Sequence, residues 1–309
     1  MTKLALIGVG RWGKNILRTL EGIKGVEVTA FDTATSPSPS PHLRRGEFDG
    51  VLIATPGSTH AQIALPYIKR GLPVFIEKPM TTRLKDAVLL ERAAQKSGSS
   101  IFVGHVHLYN PAYLKLKQLL PKVGTVKLIH FEGMAPGPVR DDMSVLWDWG
   151  PHGVSMMLDL VGAMPQRAQA WGPAFVPPKA GLRRGKARDF AHTVMAKLDF
   201  PGNIAGTMHL SWSWPEKRVK LTVVGSRGSL VFDDTADRKV TFYRNGRVTH
   251  PRYGGQQPLT RELAAFIRIV QIVQKGQQPK TDARQGVDVV RALSACERSL
   301  VVDGRVTKC

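Results

Sequence analysis

Lys3-Leu4-Ala5-Leu6-Ile7-Gly8-Val9-Gly10-Arg11-Trp12-Gly13 reads as a short apolar strand running straight into a glycine turn. Apolar residues then recur at helical spacing from Lys14 to Ile23. Val26 to Phe31, Val51 to Ala54, Pro73 to Ile76 and Ile101 to Val103 read as further short strands. His60 to Lys69 and Arg83 to Lys96 carry the helical period between them. Strands alternating with helices imply βαβ units around a parallel sheet covered on both faces, a doubly wound α/β arrangement.

After a helix expected over Asn110 to Leu120 the pattern changes. Val126 to Phe131, Ala168 to Trp171, His192 to Leu198, Ile204 to Trp212, Val219 to Val224, Leu230 to Phe232 and Val240 to Tyr243 read as strands. Turns such as Pro201-Gly202-Asn203 and Asn245-Gly246 separate several of them. That succession predicts an open, mainly antiparallel sheet in an α+β domain. Leu259 to Gln274 and Val287 to Leu300 are closing helices. The boundary is placed near residue 115, giving a dinucleotide-binding domain over 1–115 and a substrate domain over 116–309. Ser36 to Pro41, an alternation of Ser and Pro, reads as a loop.

Composition narrows the class. The chain has 309 residues, 42% hydrophobic and 22% charged, which suits a globular protein rather than a disordered one. Its two cysteines, Cys296 and Cys309, form neither a disulfide framework nor a zinc pattern. No leader-like segment precedes the first strand and no apolar run is long enough to span a bilayer. A cytoplasmic protein without a membrane partner is therefore expected. The formal charge of +20 favours anionic ligands. The basic residues are scattered, with short clusters such as Arg183, Arg184, Lys186 and Arg188, so no specific nucleic-acid partner is expected.

The glycine turn carries the first functional reading. Gly8, Gly10 and Gly13 fit G-x-G-x-x-G between a strand and a helix, the setting the motif requires. The first glycine permits the tight turn, the second lets backbone approach a pyrophosphate, and the third lets helix and strand pack closely. The helix start offers free N–H groups to phosphate. Asp32 ends the second strand about 20 residues on, where a carboxylate bonds ribose hydroxyls. An Asp there also serves as an ordinary turn former. Its charge would repel a 2′-phosphate, so NAD is favoured, with NADP left open by the basic balance of the chain.

Ligands in such folds bind beyond the carboxyl ends of strands. Ala54-Thr55-Pro56 closes one strand, with His60 just beyond, and Glu77-Lys78-Pro79 closes the next. Lys78 precedes a proline, which disfavours helix and leaves it extended or in a turn. His60 reads first as a capping or packing residue and second as a cofactor contact. In Trp147-Asp148-Trp149-Gly150-Pro151-His152-Gly153, Pro151 suits the first position of a helix. His152 would then sit in the first turn, where the helix dipole disfavours imidazolium and leaves a base oriented by Asp148. A structural histidine beside a capping Asp explains the same spacing. His105-Val106-His107 would place two imidazoles on one face of a strand, with no further ligands at metal spacing, so no metal is expected. Trp212-Ser213-Trp214-Pro215 reads as a strand end and turn.

Taken together these motifs resemble one family, the glucose-fructose oxidoreductase, inositol dehydrogenase and rhizopine catabolism group. The resemblance rests on Gly8-Val9-Gly10-Arg11-Trp12-Gly13-Lys14-Asn15, Ala54-Thr55-Pro56 with His60, Glu77-Lys78-Pro79 and Tyr109-Asn110-Pro111. It continues through Asp148-x-Gly150-x-His152 and Ser211 to Pro215 with Lys217 and Arg218. It implies a Rossmann domain followed by an open antiparallel sheet, and hydride transfer between NAD(P) and a hydroxyl carbon of a sugar, cyclitol or nucleotide sugar. It implies cofactor contacts from Gly8, Gly10, Arg11, Trp12, Gly13, Asp32, Thr55, Pro56, His60, Glu77 and Lys78. It assigns catalysis to Lys78, His152 and Asp148, and substrate contacts to Asn110, Arg140, Asp148 and His152. Arg140-Asp141-Asp142 followed by Leu146-Trp147-Asp148 is most similar to enzymes that oxidise the 3-hydroxyl of UDP-N-acetylglucosamine or its uronic acid. A homo-oligomer is implied as well. A cofactor-binding regulator without chemistry and an NAD-assisted glycoside hydrolase are the alternatives the family offers. Two departures stand out: Gly153 where the family often has Asp, and a short Pro/Ser-rich stretch between Asp32 and Val51.

Overall fold

A computed structural model describes residues 1–32, 46–140, 142–173, 191–272 and 279–309. Ser36 to Pro41, the stretch after Asp32, Asp141 and the basic cluster from Arg183 to Arg188 lie outside them. So do the last two residues expected in the Leu259 to Gln274 helix.

The chain forms, in order, β1 (Thr2–Ile7), α1 (Arg11–Glu21), β2 (Val26–Phe31), β3 (Gly50–Ile53), α2 (His60–Lys69), β4 (Val74–Glu77), α3 (Leu84–Ser97) and β5 (Ile101–Gly104). Among the described residues these strands make a five-stranded parallel sheet, ordered β2-β1-β3-β4-β5. Every residue of β3, β4 and β5 is buried, as a sheet covered on both faces requires. β2 lies at the edge and is more exposed.

The second set is α4 (Pro111–Leu119), β6 (Val126–Pro136), α5 (Val145–Val161), β7 (Arg167–Trp171), β8 (Thr193–Phe200), β9 (Ile204–Ser211), β10 (Ser213–Gly225), β11 (Gly228–Asp233), β12 (Val240–Arg244) and β13 (Arg247–Thr249). α6 (Pro258–Ile272), α7 (Ala283–Val301) and β14 (Thr307–Lys308) follow. The described strands form a nine-stranded open sheet, ordered β13-β12-β11-β10-β6-β9-β8-β7-β14. Its pairs are antiparallel except β6 with β9. Along β6, Ile129 and Phe131 are buried while His130 and Glu132 are only half-buried, so the sheet has one core face and one polar face.

Contacts divide the molecule into two compact units. One holds Met1–Asn110 with Gln256–Val290, the other Pro111–Gly255 with Arg291–Cys309. The first unit's core joins Leu4, Leu6, Ile16, Leu20, Leu52, Phe75 and Phe102 to Leu263, Phe266 and Ile267 of α6.

Three local expectations are corrected. α5 begins at Val145, six residues before Pro151, with Ser144 in extended geometry at its N-cap. Pro151 is therefore interior, and His152 stands two turns in, beyond the reach of a first-turn dipole. A proline there removes one hydrogen bond to the carbonyl four residues earlier, and the apolar burial of nearly the whole helix offsets that loss. His105 and His107 are not alternating strand residues. β5 stops at Gly104, and Val106–Tyr109 is a 3₁₀ turn closed by Leu108 N to His105 O and Asn110 N to His107 O. Ser213 to Pro215 is not a turn: β10 starts at Ser213 and runs through them, with only Trp212 as the bend between strands.

Candidate active site

In the first unit the phosphate turn is built from three different uses of glycine. Gly8 has φ +94°, which a side chain would strain, and a Cβ there would crowd Thr55 Cγ2 and the Ala54 carbonyl. A Cβ at Gly13 would overlap the Gly8 carbonyl oxygen, so the helix seats directly on the turn. A Cβ at Gly10 would meet nothing within 4 Å. Gly10 is the extended N-cap of α1, and no side chain caps it. The first-turn N–H groups of α1 thus point out of the strand end with open space in front, an arrangement that fits a pyrophosphate. Asp32 is exposed just past the end of β2, the neighbour of β1.

The ends of β3 and β4 are tied to each other. His60, fully buried at the start of α2, lies 2.9 Å through Nδ1 from the Pro79 carbonyl and 2.9 Å through Nε2 from the Thr55 carbonyl. Whichever ring nitrogen carries hydrogen donates to its carbonyl, so this histidine fixes the loops that follow both strands. Thr55 Oγ1 pairs with Thr59 Oγ1 at 2.8 Å, and Thr59 Oγ1 donates to the Pro56 carbonyl at 2.7 Å. Thr55 and Pro56 are thereby held without help from a ligand.

Glu77 closes β4 and is buried. Trp12 Nε1 donates to its Oε1 at 2.5 Å, and the Lys78 backbone N–H to its Oε2 at 3.1 Å. Burial pushes Glu77 up from 4.5 to about 7, against the Trp12 hydrogen bond and the charge of Lys78. The glycine turn is thus pinned to the Glu-Lys-Pro segment through the indole of Trp12, a residue that is 41% exposed. His105, buried just past β5, is held neutral at about 3, first by burial and then by the charges of Lys78 and His107. Asn110 is buried at the end of the same turn.

In the second unit, α5 presents Asp148 and His152 four residues apart, hence on one face. Trp212 Nε1 donates to Asp148 Oδ2 at 3.0 Å, and Arg140 Nη1 lies 3.9 Å from Asp148 Oδ1. Arg140 makes a two-pronged bond to Asp142, with 2.8 and 2.7 Å contacts, and this hydrogen-bonded pairing holds the Asp142 carboxyl below its usual range. His152 is buried, with the Trp149 ring 5.9 Å away edge-on. His192 packs against Trp212 at 6.0 Å. The structure therefore brings Arg140 and Trp212 to Asp148, one helical turn before His152 on α5. A Cβ at Gly153 would meet Phe131 Cδ1 at 2.6 Å and Met208 Sδ at 2.9 Å, which explains why no acidic side chain follows the motif histidine here.

Trp212, His105 and, on α6, Glu262 were not singled out as site residues from sequence. Trp212 meets Asp148 across 64 residues, and no local pattern encodes that. Among the described residues no cluster of three or more His, Cys, Asp or Glu is disposed to hold a metal.

A model of an oxidoreductase family with an NAD-binding Rossmann fold matches residues 2–105. The GFO/IDH/MocA C-terminal domain matches residues 113–231. UDP-N-acetylglucosamine 3-dehydrogenase of Acidithiobacillus ferrooxidans is 30% identical over 58% of this chain, and the match spans 61% of that relative's length. Oxidoreductase P35 of Formosa agariphila is 42% identical over 71% of this chain and 70% of its own. An inositol dehydrogenase homologue of Azotobacter vinelandii, solved with NADH and myo-inositol, superposes with a TM-score of 0.82 over 100% of this chain and 97% of its own. At 18% identity that likeness speaks for the fold.

Proposed function

The chain belongs to the GFO/IDH/MocA oxidoreductase family, with an NAD-binding Rossmann fold, and from that premise we propose that it is an NAD-dependent dehydrogenase of a nucleotide sugar. The best candidate substrate is of the UDP-N-acetylglucosamine type, oxidised at the 3-hydroxyl. The observation that carries the reading is the Asp148–His152 pair on one face of α5, with Asp148 held by Trp212 and Arg140. The relative named for that activity and the +20 charge of the chain support it.

NAD, when bound, supplies the hydride acceptor. His152 takes the proton of the substrate hydroxyl, a contribution of roughly 10²–10⁴-fold for a positioned base. Asp148 orients the ring to which it lies i,i+4, and Trp212 fixes Asp148. In this reading Lys78 donates an ammonium N–H to the developing alkoxide and supplies the positive charge that stabilises it. Gly8, Gly10 and Gly13 seat the pyrophosphate, and Trp12 joins that turn to Glu77 and hence to Lys78.

A second reading has one observation in its favour. Arg140 is committed to Asp142 and lies beside Asp148, so its charge is largely spent within the site. That suits a neutral polyol ring next to Asp148, as in a cyclitol.

The test is titration of the purified protein with NADH by fluorescence, followed by NAD⁺ with UDP-N-acetylglucosamine, its uronic acid and myo-inositol in turn. Reduction of NAD⁺ only with the nucleotide sugars supports the first reading, and only with the cyclitol the second. Lys78→Ala and His152→Ala should each cut turnover on the order of 10²-fold or more while NADH affinity changes far less. Undiminished turnover in both would remove these residues from the mechanism.

A further inference from the structure

Glu262 is a carboxyl group with 0% exposure, and neither of its oxygens has a hydrogen-bond partner among the described residues. A buried ion left so would be costly, so the site must keep a proton or share one. Its place in the first unit identifies the partner. Glu262 precedes Phe266 by one helical turn, so both lie on one face of α6. The Phe266 ring packs 5.6 Å from Phe75 of β4. Phe75 and Glu77 are two residues apart on that strand and share its face. Gly104, opposite Glu77 in register, leaves the room: a Cβ there would stand 3.1 Å from Glu77 Cδ.

We propose that Glu77 and Glu262 form a buried carboxyl pair holding one proton between them, and that Glu262 is a positioning residue acting through Glu77 on Trp12 and Lys78. Two carboxylates in one dry site cannot both ionise cheaply. With one proton shared, the oxygens of Glu77 remain acceptors for the Trp12 indole and the Lys78 backbone N–H. Loss of that proton puts two negative charges behind the glycine turn and loosens the seat of Trp12.

Burial favours retention of the proton, against the field of Lys78, the cation that reaches Glu77. His105, in the segment after β5 with His107, is neutral, and both its ring nitrogens are without a hydrogen-bond partner among the described residues. Arg261 is the neighbouring charged residue on α6. Burial is the main cause that raises Glu262 well above the carboxylate range, and the charge of Glu77 adds to it. Glu77, raised from 4.5 to about 7 in the folded state, contributes stability that is fully present below 4.5 and is lost as pH rises through about 7.

The experiment compares the whole protein with Glu262→Gln, which keeps the shape and removes the titration. Thermal midpoints and NADH affinity are followed from about pH 5.5 to about pH 9, and the carbonyl stretch of protonated carboxyl groups is followed by infrared. In the unaltered protein both midpoint and affinity should fall with rising pH. In E262Q the fall should shrink by about half or more, and a protonated-carboxyl band should be missing. Parallel midpoint curves with an unchanged infrared band would overturn the proposal. Should E262Q not fold, the unaltered protein decides: a protonated-carboxyl band at neutral pH that fades under alkaline conditions supports the pair, and its absence overturns it. None of these readouts needs a substrate, so a failed dehydrogenase assay leaves them standing.

Discussion

A side chain at position 153 has nowhere to go. α5 lies on the core face of the open sheet so closely that a Cβ there would press on the ring of Phe131 and the sulfur of Met208. Alanine is the better helix former by about 1 kcal/mol, yet forcing extra atoms into a packed core costs about 1–3 kcal/mol. Gly153→Ala is therefore expected to be neutral to destabilising. Gly153→Asp, which also buries a carboxyl, should lower the thermal midpoint by several degrees, at about 2–4 °C per kcal/mol for a chain of this size class. An unshifted midpoint in Gly153→Asp would mean that α5 can lift from β6 at little cost. The sequence shows the glycine, and the resemblance shows that it departs from the usual acid. Only the packing gives the reason.

At the scale of the element, the β1–α1 unit is the part most fully readable from sequence, because its constraints are local. The order of strand, turn and helix, and the separate duty of each glycine, follow from a run of eleven residues. α2 was expected at His60–Lys69 and is found there, for its helical spacing is uninterrupted. Proline, a local signal of a boundary, misleads at both α5 and β10: the burial of α5 overrides it at Pro151, and the exposed Pro215 lies where the β10–β6 pairing skips from Ser213 to Arg218. Asp148 and His152 remained legible as a pair because i,i+4 spacing holds anywhere along a helix. The partner Trp212 did not, because it comes from another element. The tightest element-level prediction concerns Gly13. Its Cα rests against the Gly8 carbonyl, so Gly13→Ala must push α1 off the turn. NADH affinity should fall on the order of tenfold or more, about 1.4 kcal/mol, in a fluorescence titration. Retained affinity would show that the phosphate turn does not need the close helix seat.

At the scale of the whole molecule, sequence order and spatial grouping part company. α6 is separated from β5 by eight of the nine described strands of the second sheet, yet Leu263, Phe266 and Ile267 complete the core around Phe75 and Phe102. Nothing in the amphipathic pattern of a helix says which sheet it covers, so the proposed pairing of Glu262 with Glu77 is not readable from sequence either. Net charge, in contrast, is fixed by sequence alone. A formal charge of +20 surrounds the molecule with a field that draws in anions and leaves neutral solutes indifferent. Salt shortens that field to about 8 Å at physiological ionic strength and to about 3 Å at 1 M. If the substrate is a nucleotide sugar, its KM should rise several-fold between low and high salt, and kcat should change little because the reacting groups are already in contact. A neutral cyclitol should show no such rise. The same salt series thus tests what the charge is for and which of the two substrate readings holds. A KM for the nucleotide sugar that ignores salt would assign the positive charge a role unconnected with capturing the substrate.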